Sequence, residues 1–252
     1  MHGFSFPHPM NRSIAVASEA DPLAALRAAT ASRHEALDGG LPIGAPGASL
    51  HDYTAHLALL RAWLVPLHAW LAGFANGPRF DHAPRLARID ADLAEAGLSL
   101  SANMDAGGEA PGSSNVAPGA ADEHAWPASA SPAYRWGVQY VIEGSQLGGA
   151  VLYERLRERL APCPLRYLKG DEGGPGPRWR TFMLALRADV RTPAEIADAC
   201  AGACAAFDSI LSLRAGPSFA FHPESRSQMR SQFHSESRPA LSDAGESGPA
   251  GA

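Results

Sequence analysis

Residues 26–38 (LRAATASRHEALD) set several chemistry-bearing side chains along one line of a helix. His34 and Asp38 are four residues apart and so share a face. Arg27, seven residues before His34, falls on nearly the same line, and Thr30 fills the stripe between them. An imidazole whose second ring nitrogen donates to a carboxylate is the usual arrangement of metal-binding histidines, because that bond fixes the tautomer and raises ligand basicity. An arginine two turns away suits an anionic group on the same ligand. A solvated polar face carrying an ordinary His–Asp pair would use the same residues, and spacing alone does not separate the two.

A second stretch, YRWGVQYVIEGSQLGGAVLYERL, is strongly helical and apolar yet contains Gly137, Gly144, Gly148 and Gly149. Each glycine in a helix interior costs about 1 kcal/mol against alanine, so the last three forgo roughly 3 kcal/mol together. That cost implies close approach of something to the backbone. Gly144 and Gly148 are one turn apart and leave a bare stripe on which a planar ligand could lie. Close helix–helix packing on small residues is the competing explanation. A nucleotide loop is disfavoured: the spacing is not GxGxxG, no strand precedes it and no Lys-Ser/Thr follows.

Helices must position both segments. Asp21 and Pro22 form a cap and first-turn pair, opening a helix that reaches about Asp38 and stops at Gly39-Gly40. Ser49 caps a second helix through Tyr53, Leu57, Leu60, Leu64, Leu67 and Leu71, with Pro66 expected to kink it. A third is expected from Pro84 to Ala96, ended by Gly97. A fourth is expected from Pro132 to about Leu160, a fifth from Arg178 to Ala188, and a last from the Thr192 cap to about Arg214. Residues 100–131 lose periodicity and read as a low-complexity insertion rich in Gly, Ala, Ser and Pro. The expectation is an all-α, single-domain helical bundle over 21–216, with a flexible arm at 1–20 and a disordered tail at 217–252.

Composition narrows the function. The 252 residues are 46% hydrophobic, enough for a core, and 19% charged, below the usual ~25%. With 21 basic and 26 acidic residues the net charge is −5, and no Lys/Arg run appears, which argues against a nucleic-acid partner. Cys163, Cys200 and Cys204 have neither disulfide-framework nor zinc-finger spacing. The apolar stretch from Leu57 to Phe74 contains Arg61, Pro66 and His68, so no membrane span is expected there. The N-terminus shows no signal-peptide pattern, and a cytoplasmic location is expected. His51, His56 and His68 on the second helix lack a matching carboxylate pattern and are not read as a metal site.

Taken together, LRAATASRHEALD (26–38) and YVIEGSQLGG (140–149) resemble the biliverdin-producing heme oxygenase family, particularly its bacterial, bacteriophytochrome-associated branch. RLARIDADLAEAG (85–97) and RWRTFMLAL (178–186) are supporting matches, and the resemblance covers about residues 22–99 and 132–213. It implies a heme oxygenase-like bundle that cleaves heme with O2 and external electrons to biliverdin, CO and Fe2+, with heme as both cofactor and substrate. It implies His34 as the proximal iron ligand and Asp38 as its acidic partner. Arg27 and Arg180 would pair with heme propionates, and Tyr140 would line the pocket. Gly144, Ser145, Gly148 and Gly149 fall on the distal helix that covers bound oxygen. Mammalian members carry an Asp after the first distal glycine, where this chain has Ser145, so its proton route must differ. The implied partners are an electron donor such as ferredoxin or another reductase, and a bacteriophytochrome that receives biliverdin. A non-catalytic heme carrier or sensor on the same fold is the alternative.

Overall fold

In a computed structural model the described residues are 21–105, 126–216 and 219, the side chains of 98–105 excepted. The expected arm at 1–20, most of the insertion (106–125) and nearly all of the tail lie outside them. Seven α-helices follow in chain order: α1 (Pro22–Asp38), α2 (Leu50–Ala72), α3 (Ala83–Asp105), α4 (Pro132–Leu156), α5 (Arg166–Lys169), α6 (Gly176–Asp189) and α7 (Pro193–Ala215). A 3-10 turn at Pro42–Gly44 joins α1 to α2, and no strand occurs among the described residues. The fold is all-α, as the periodicity requires.

The helix starts follow from local chemistry. Asp21 accepts from the Leu23 N–H and Pro22 occupies the first turn, where its missing donor costs nothing. Ser49 with Asp52, and Thr192 with Glu195, form reciprocal capping boxes for α2 and α7. Ser131 accepts from the Tyr134 N–H at the start of α4. Two ends differ from the pattern reading. Helix α3 runs through Gly97 to Asp105, because one helical glycine costs about 1 kcal/mol without breaking the ladder. Helix α4 stops at Leu156 rather than near 160, and the chain turns through Leu165, whose φ is 50°, into the short α5.

Helices α4 and α7 cross at the centre. A Cβ on Gly137 would collide with the Ala199 carbonyl of α7, and one on Gly202 with the Tyr134 carbonyl of α4. Helix α1 lies along α7, tied by Arg33 to Asp208 (2.7 Å) and by Arg214 to the Ala36 carbonyl (3.0 Å) at the C-terminal end of α1. Helix α2 packs its buried Trp63 against α7, donating to Ser209 Oγ at 2.9 Å. By length and composition α2 and α7 could each cross a bilayer; here their apolar faces fill the core, with Leu57, Leu64, Leu67, Ala203 and Ala206 buried. Fully buried Asp92 on α3 binds the elements behind α4. It accepts from Tyr53 Oη of α2 (2.6 Å), the Tyr167 N–H of α5 (2.9 Å) and Arg166 (3.1 Å).

One buried group predicts how the fold responds to acid. His56 on α2 is buried, its Nδ1 has no hydrogen-bond partner among the described residues, and burial depresses its pKa to about 4. The unfolded chain therefore binds the proton more readily between pH 6.5 and 4. Stability is complete above pH 6.5 and falls as pH drops toward 4. At pH 5 this one group removes about 2 kcal/mol. Urea melts of His56→Leu should show that much less loss than the parent between pH 8 and pH 5; an unchanged pH slope would refute the assignment.

Candidate functional site

Helix α1 carries His34 at the protein surface. Its side chain is 63% exposed, and Nδ1 lies 3.0 Å from Asp38 Oδ2, one turn on. Only the i, i+4 spacing is needed to form this pair, which is why the sequence shows it. With Nδ1–H donated to Asp38, Nε2 is the nitrogen left with its lone pair outward. The ring also packs at 5.9 Å, centroid to centroid, against Phe207 of α7. Behind it, Arg33 and Arg214 hold α1 to α7, so the helix that presents His34 is fixed along its last two turns.

Helix α4 meets α1 at Tyr140. The half-buried phenol lies close to the Arg27 charge of α1 and sits 5.8 Å, centroid to centroid, from the Trp179 ring of α6. Burial raises its pKa, and the Arg27 charge opposes that rise. Arg27 and Tyr140, 113 positions apart in sequence, are thus brought together. Arg180 is exposed on α6 and makes no hydrogen bond or ion pair among the described residues.

Beyond Tyr140 the glycines separate into distinct roles. Gly148 is exposed, and a Cβ there would meet nothing within 4 Å. A Cβ on Gly144 would touch only the outer edge of Trp179, at 3.9 Å. Leu147 and Val151 share this face and are 36% and 61% exposed, unusual for large apolar side chains at helical spacing beside a glycine stripe. Gly149 does not share it: it is buried, and a Cβ there would meet Leu168 of α5 at 3.8 Å. Gly137 serves the α7 crossing. Packing and a bare surface both explain glycines in this helix, each at different positions.

Behind the glycine face lies a charged cluster that the pattern reading missed. Glu143, 2% exposed, accepts from Arg85 Nη2 at 2.6 Å and from Arg178 at 2.8 and 2.9 Å. Burial works to raise the Glu143 pKa, but hydrogen bonds and charge from Arg178 and Arg85 outweigh it, so the carboxyl sits below its usual range. His82 is buried beside them, with Nε2 2.8 Å from Gln139 Oε1, and burial depresses its pKa to about 4, so it is neutral at pH 7. Next to them Ser145 donates to the Ile142 carbonyl at 2.8 Å, and Gln146 donates to Tyr167 Oη at 2.8 Å. The one available signal was a lone glutamate inside an apolar helical run, since such a charge is rarely buried unpaired.

The arrangement is chemically coherent for a flat, partly anionic metal complex. It offers an exposed imidazole with an acidic partner on α1, a stripe of α4 without side chains, exposed apolar residues beside that stripe, and the Arg27 guanidinium near Tyr140. No cluster of three or more metal-ligating side chains occurs among the described residues. A metal held here by His34 would need its remaining ligands from elsewhere, as a macrocycle provides.

Comparison with known proteins agrees. No protein-family model matches the chain. A heme oxygenase of Xanthomonas campestris pv. campestris (strain 8004) is 45% identical over 84 residues, 32% of this chain and 50% of that protein; the match thus spans half the relative's length. The crystal structure of a heme oxygenase from Neisseria meningitidis, solved with NO and CO bound, superposes with a TM-score of 0.56 at 21% identity. That superposition covers 81% of this chain and 95% of the Neisseria chain. The chain has the heme oxygenase fold, and in sequence and fold alike it resembles the heme oxygenase family.

Proposed function

We propose that this protein is a heme-degrading monooxygenase that converts heme, O2 and externally supplied electrons to biliverdin, CO and Fe2+. The reading is carried by the surface imidazole of His34, paired through Nδ1 with Asp38, together with a face of α4 left bare at Gly144 and Gly148. The similarity to the Xanthomonas and Neisseria heme oxygenases supports it.

Each residue has a physical task in this mechanism. His34 Nε2 would hold the iron, with Asp38 keeping the ring oriented and basic through Nδ1. A neutral imidazole, unlike a thiolate, does not push toward O–O cleavage. Arg27, close to Tyr140, would pair with a propionate carboxylate and fix the rotation of the bound heme; Arg180 would be a second propionate partner. Leu147 and Val151 cover macrocycle edge and exclude water. Gly144 and Gly148 leave bare backbone on α4, where bound heme and a small gas molecule would find no side chain in the way. Ser145 supplies the distal hydroxyl. Bound heme supplies the iron at which O2 is reduced and the carbon bridge that is cut. Electrons come from a ferredoxin or another reductase, since the sequence shows no nicotinamide or flavin fingerprint. We further propose a cytoplasmic setting, which the three free cysteines suit, and a bacteriophytochrome as recipient of the biliverdin.

The test is turnover. The hemin complex, given ascorbate or a ferredoxin system in air, should lose its Soret band as a broad red band of biliverdin grows and CO is released. A Soret band that persists through reductant and oxygen would replace the enzyme reading with that of a heme carrier or sensor.

A further inference from the structure

Cys200 and Cys204 are four residues apart on α7, about one turn of a continuous helix, so their side chains share a face with Cβ atoms about 5–6 Å apart. Both thiols are free and partly exposed, so a dissolved ion can reach them. Cys204 Sγ donates to the Ala29 carbonyl of α1 at 3.5 Å, which places this face beside α1. Ala29 lies inside α1, where the helix ladder already uses its carbonyl, so losing the thiol proton strands no acceptor. One turn further along α7, Asp208 is held by Arg33 of α1 in two bonds of 2.7 and 3.0 Å, which closes the seam between the helices.

The backbone between the two cysteines is fixed. Gly202 is pressed so closely on α4 that a Cβ there would collide with the Tyr134 carbonyl, and Ala199 and Ala203 are fully buried. A disulfide needs Cβ atoms about 3.5–4.5 Å apart, closer than one helical turn brings them. Helix α7 cannot unwind here without opening the α4 crossing. The fold therefore holds two separate thiols at a set spacing, which a metal ion can bridge. No group of three or more metal-ligating side chains occurs among the described residues. A closed tetrahedral zinc site, with its four protein ligands, does not fit the pair; a soft ion satisfied by two thiolates does.

We propose that Cys200 and Cys204 form a binding site for a soft d10 cation of the Cu+ class, held between two thiolates in the seam of α1 and α7. Each sulfur gives up its proton as its bond to the metal forms, so Cu+ and two thiols yield a singly negative bis-thiolate complex and two protons, with no electron transferred. The site is independent of heme.

The experiment adds Cu+ alone, without oxygen, to the full chain in competition with the chromophoric chelator bicinchoninate. Parent, Cys163→Ser, Cys200→Ser and Cys204→Ser are compared. Parent and Cys163→Ser should take near one equivalent from the chelator and develop a near-ultraviolet thiolate-to-copper band. Cys200→Ser and Cys204→Ser should lose the band and leave the copper with the chelator. A second measurement needs no variant: in the parent, bound Cu+ should protect Cys200 and Cys204 from iodoacetamide while Cys163 is labelled as before. A parent that takes no copper, uptake unchanged in Cys200→Ser, or uptake lost in Cys163→Ser would overturn the proposal. So would uptake at half an equivalent with dimer formation, which would put the bridge between two copies, or labelling of Cys200 and Cys204 at the copper-free rate.

Discussion

Glu143→Ala should destabilise the protein by about 3–5 kcal/mol in urea melts, the largest single-site loss expected anywhere in the fold. Glu143 is 2% exposed and is the only carboxylate bonded to Arg85 among the described residues. Removing it leaves the Arg85 guanidinium, itself 6% exposed, buried without a counter-charge. Arg178 loses both its bonds to the carboxylate and keeps only the Asp81 carbonyl at 2.9 Å. The penalty comes from the stranded charges more than from lost attraction, so the double change Glu143→Leu with Arg85→Met should recover part of the loss. Glu143→Gln, which keeps one acceptor oxygen, should fall between parent and alanine variant. The native carboxyl titrates below the unfolded value, so its contribution is present above the usual glutamate pKa and disappears as acid protonates it in the folded state. A loss below 1 kcal/mol for Glu143→Ala would mean that the cluster is solvated and not a keystone of α3, α4 and α6.

The same substitution at two glycines of α4 should have opposite consequences. Gly137→Ala places a methyl group against the Ala199 carbonyl, and backbone cannot swing aside as a flexible side chain would. The α4–α7 crossing must open, at a cost near the upper end of the roughly 1–3 kcal/mol typical of overpacking. Gly148→Ala meets nothing and should stabilise the unliganded protein by about 0.5–1 kcal/mol, the helix-propensity difference between the two residues. Where heme lies over that stripe, the added methyl should weaken hemin binding roughly ten-fold, equivalent to about 1.4 kcal/mol. Melts and hemin titrations of both variants decide it. A Gly148→Ala variant that gains stability and binds hemin unchanged would mean that nothing approaches the helix there.

What could be read from sequence was mostly local. Asp21-Pro22, Ser49 and Thr192-Pro193 announce helix starts because the capping side chain and the backbone it satisfies are within a few residues. The His34–Asp38 pair is legible for the same reason. Helix ends were less so: Gly97 looks like a stop, but the propensity cost of one glycine is smaller than what the flanking helix contributes. Helix α5 is four residues long and carries no period at all. The Glu143 cluster joins residues 58 and 35 positions away, and the bond between Gln146 and Tyr167 spans 21. Tertiary packing alone decides such pairs. The glycines show the limit most clearly, since Gly137, Gly148 and Gly149 lie in one apolar run while facing a helix crossing, open space and a leucine.

The central claim, that His34 is the iron ligand of a heme site, is tested most directly by titrating purified protein with hemin beside His34→Ala. The account predicts a sharp, saturable Soret band near one equivalent in the parent. In the alanine variant it predicts a weakened or blue-shifted band that exogenous imidazole restores. An identical Soret band in both proteins, or none in the parent, would contradict it.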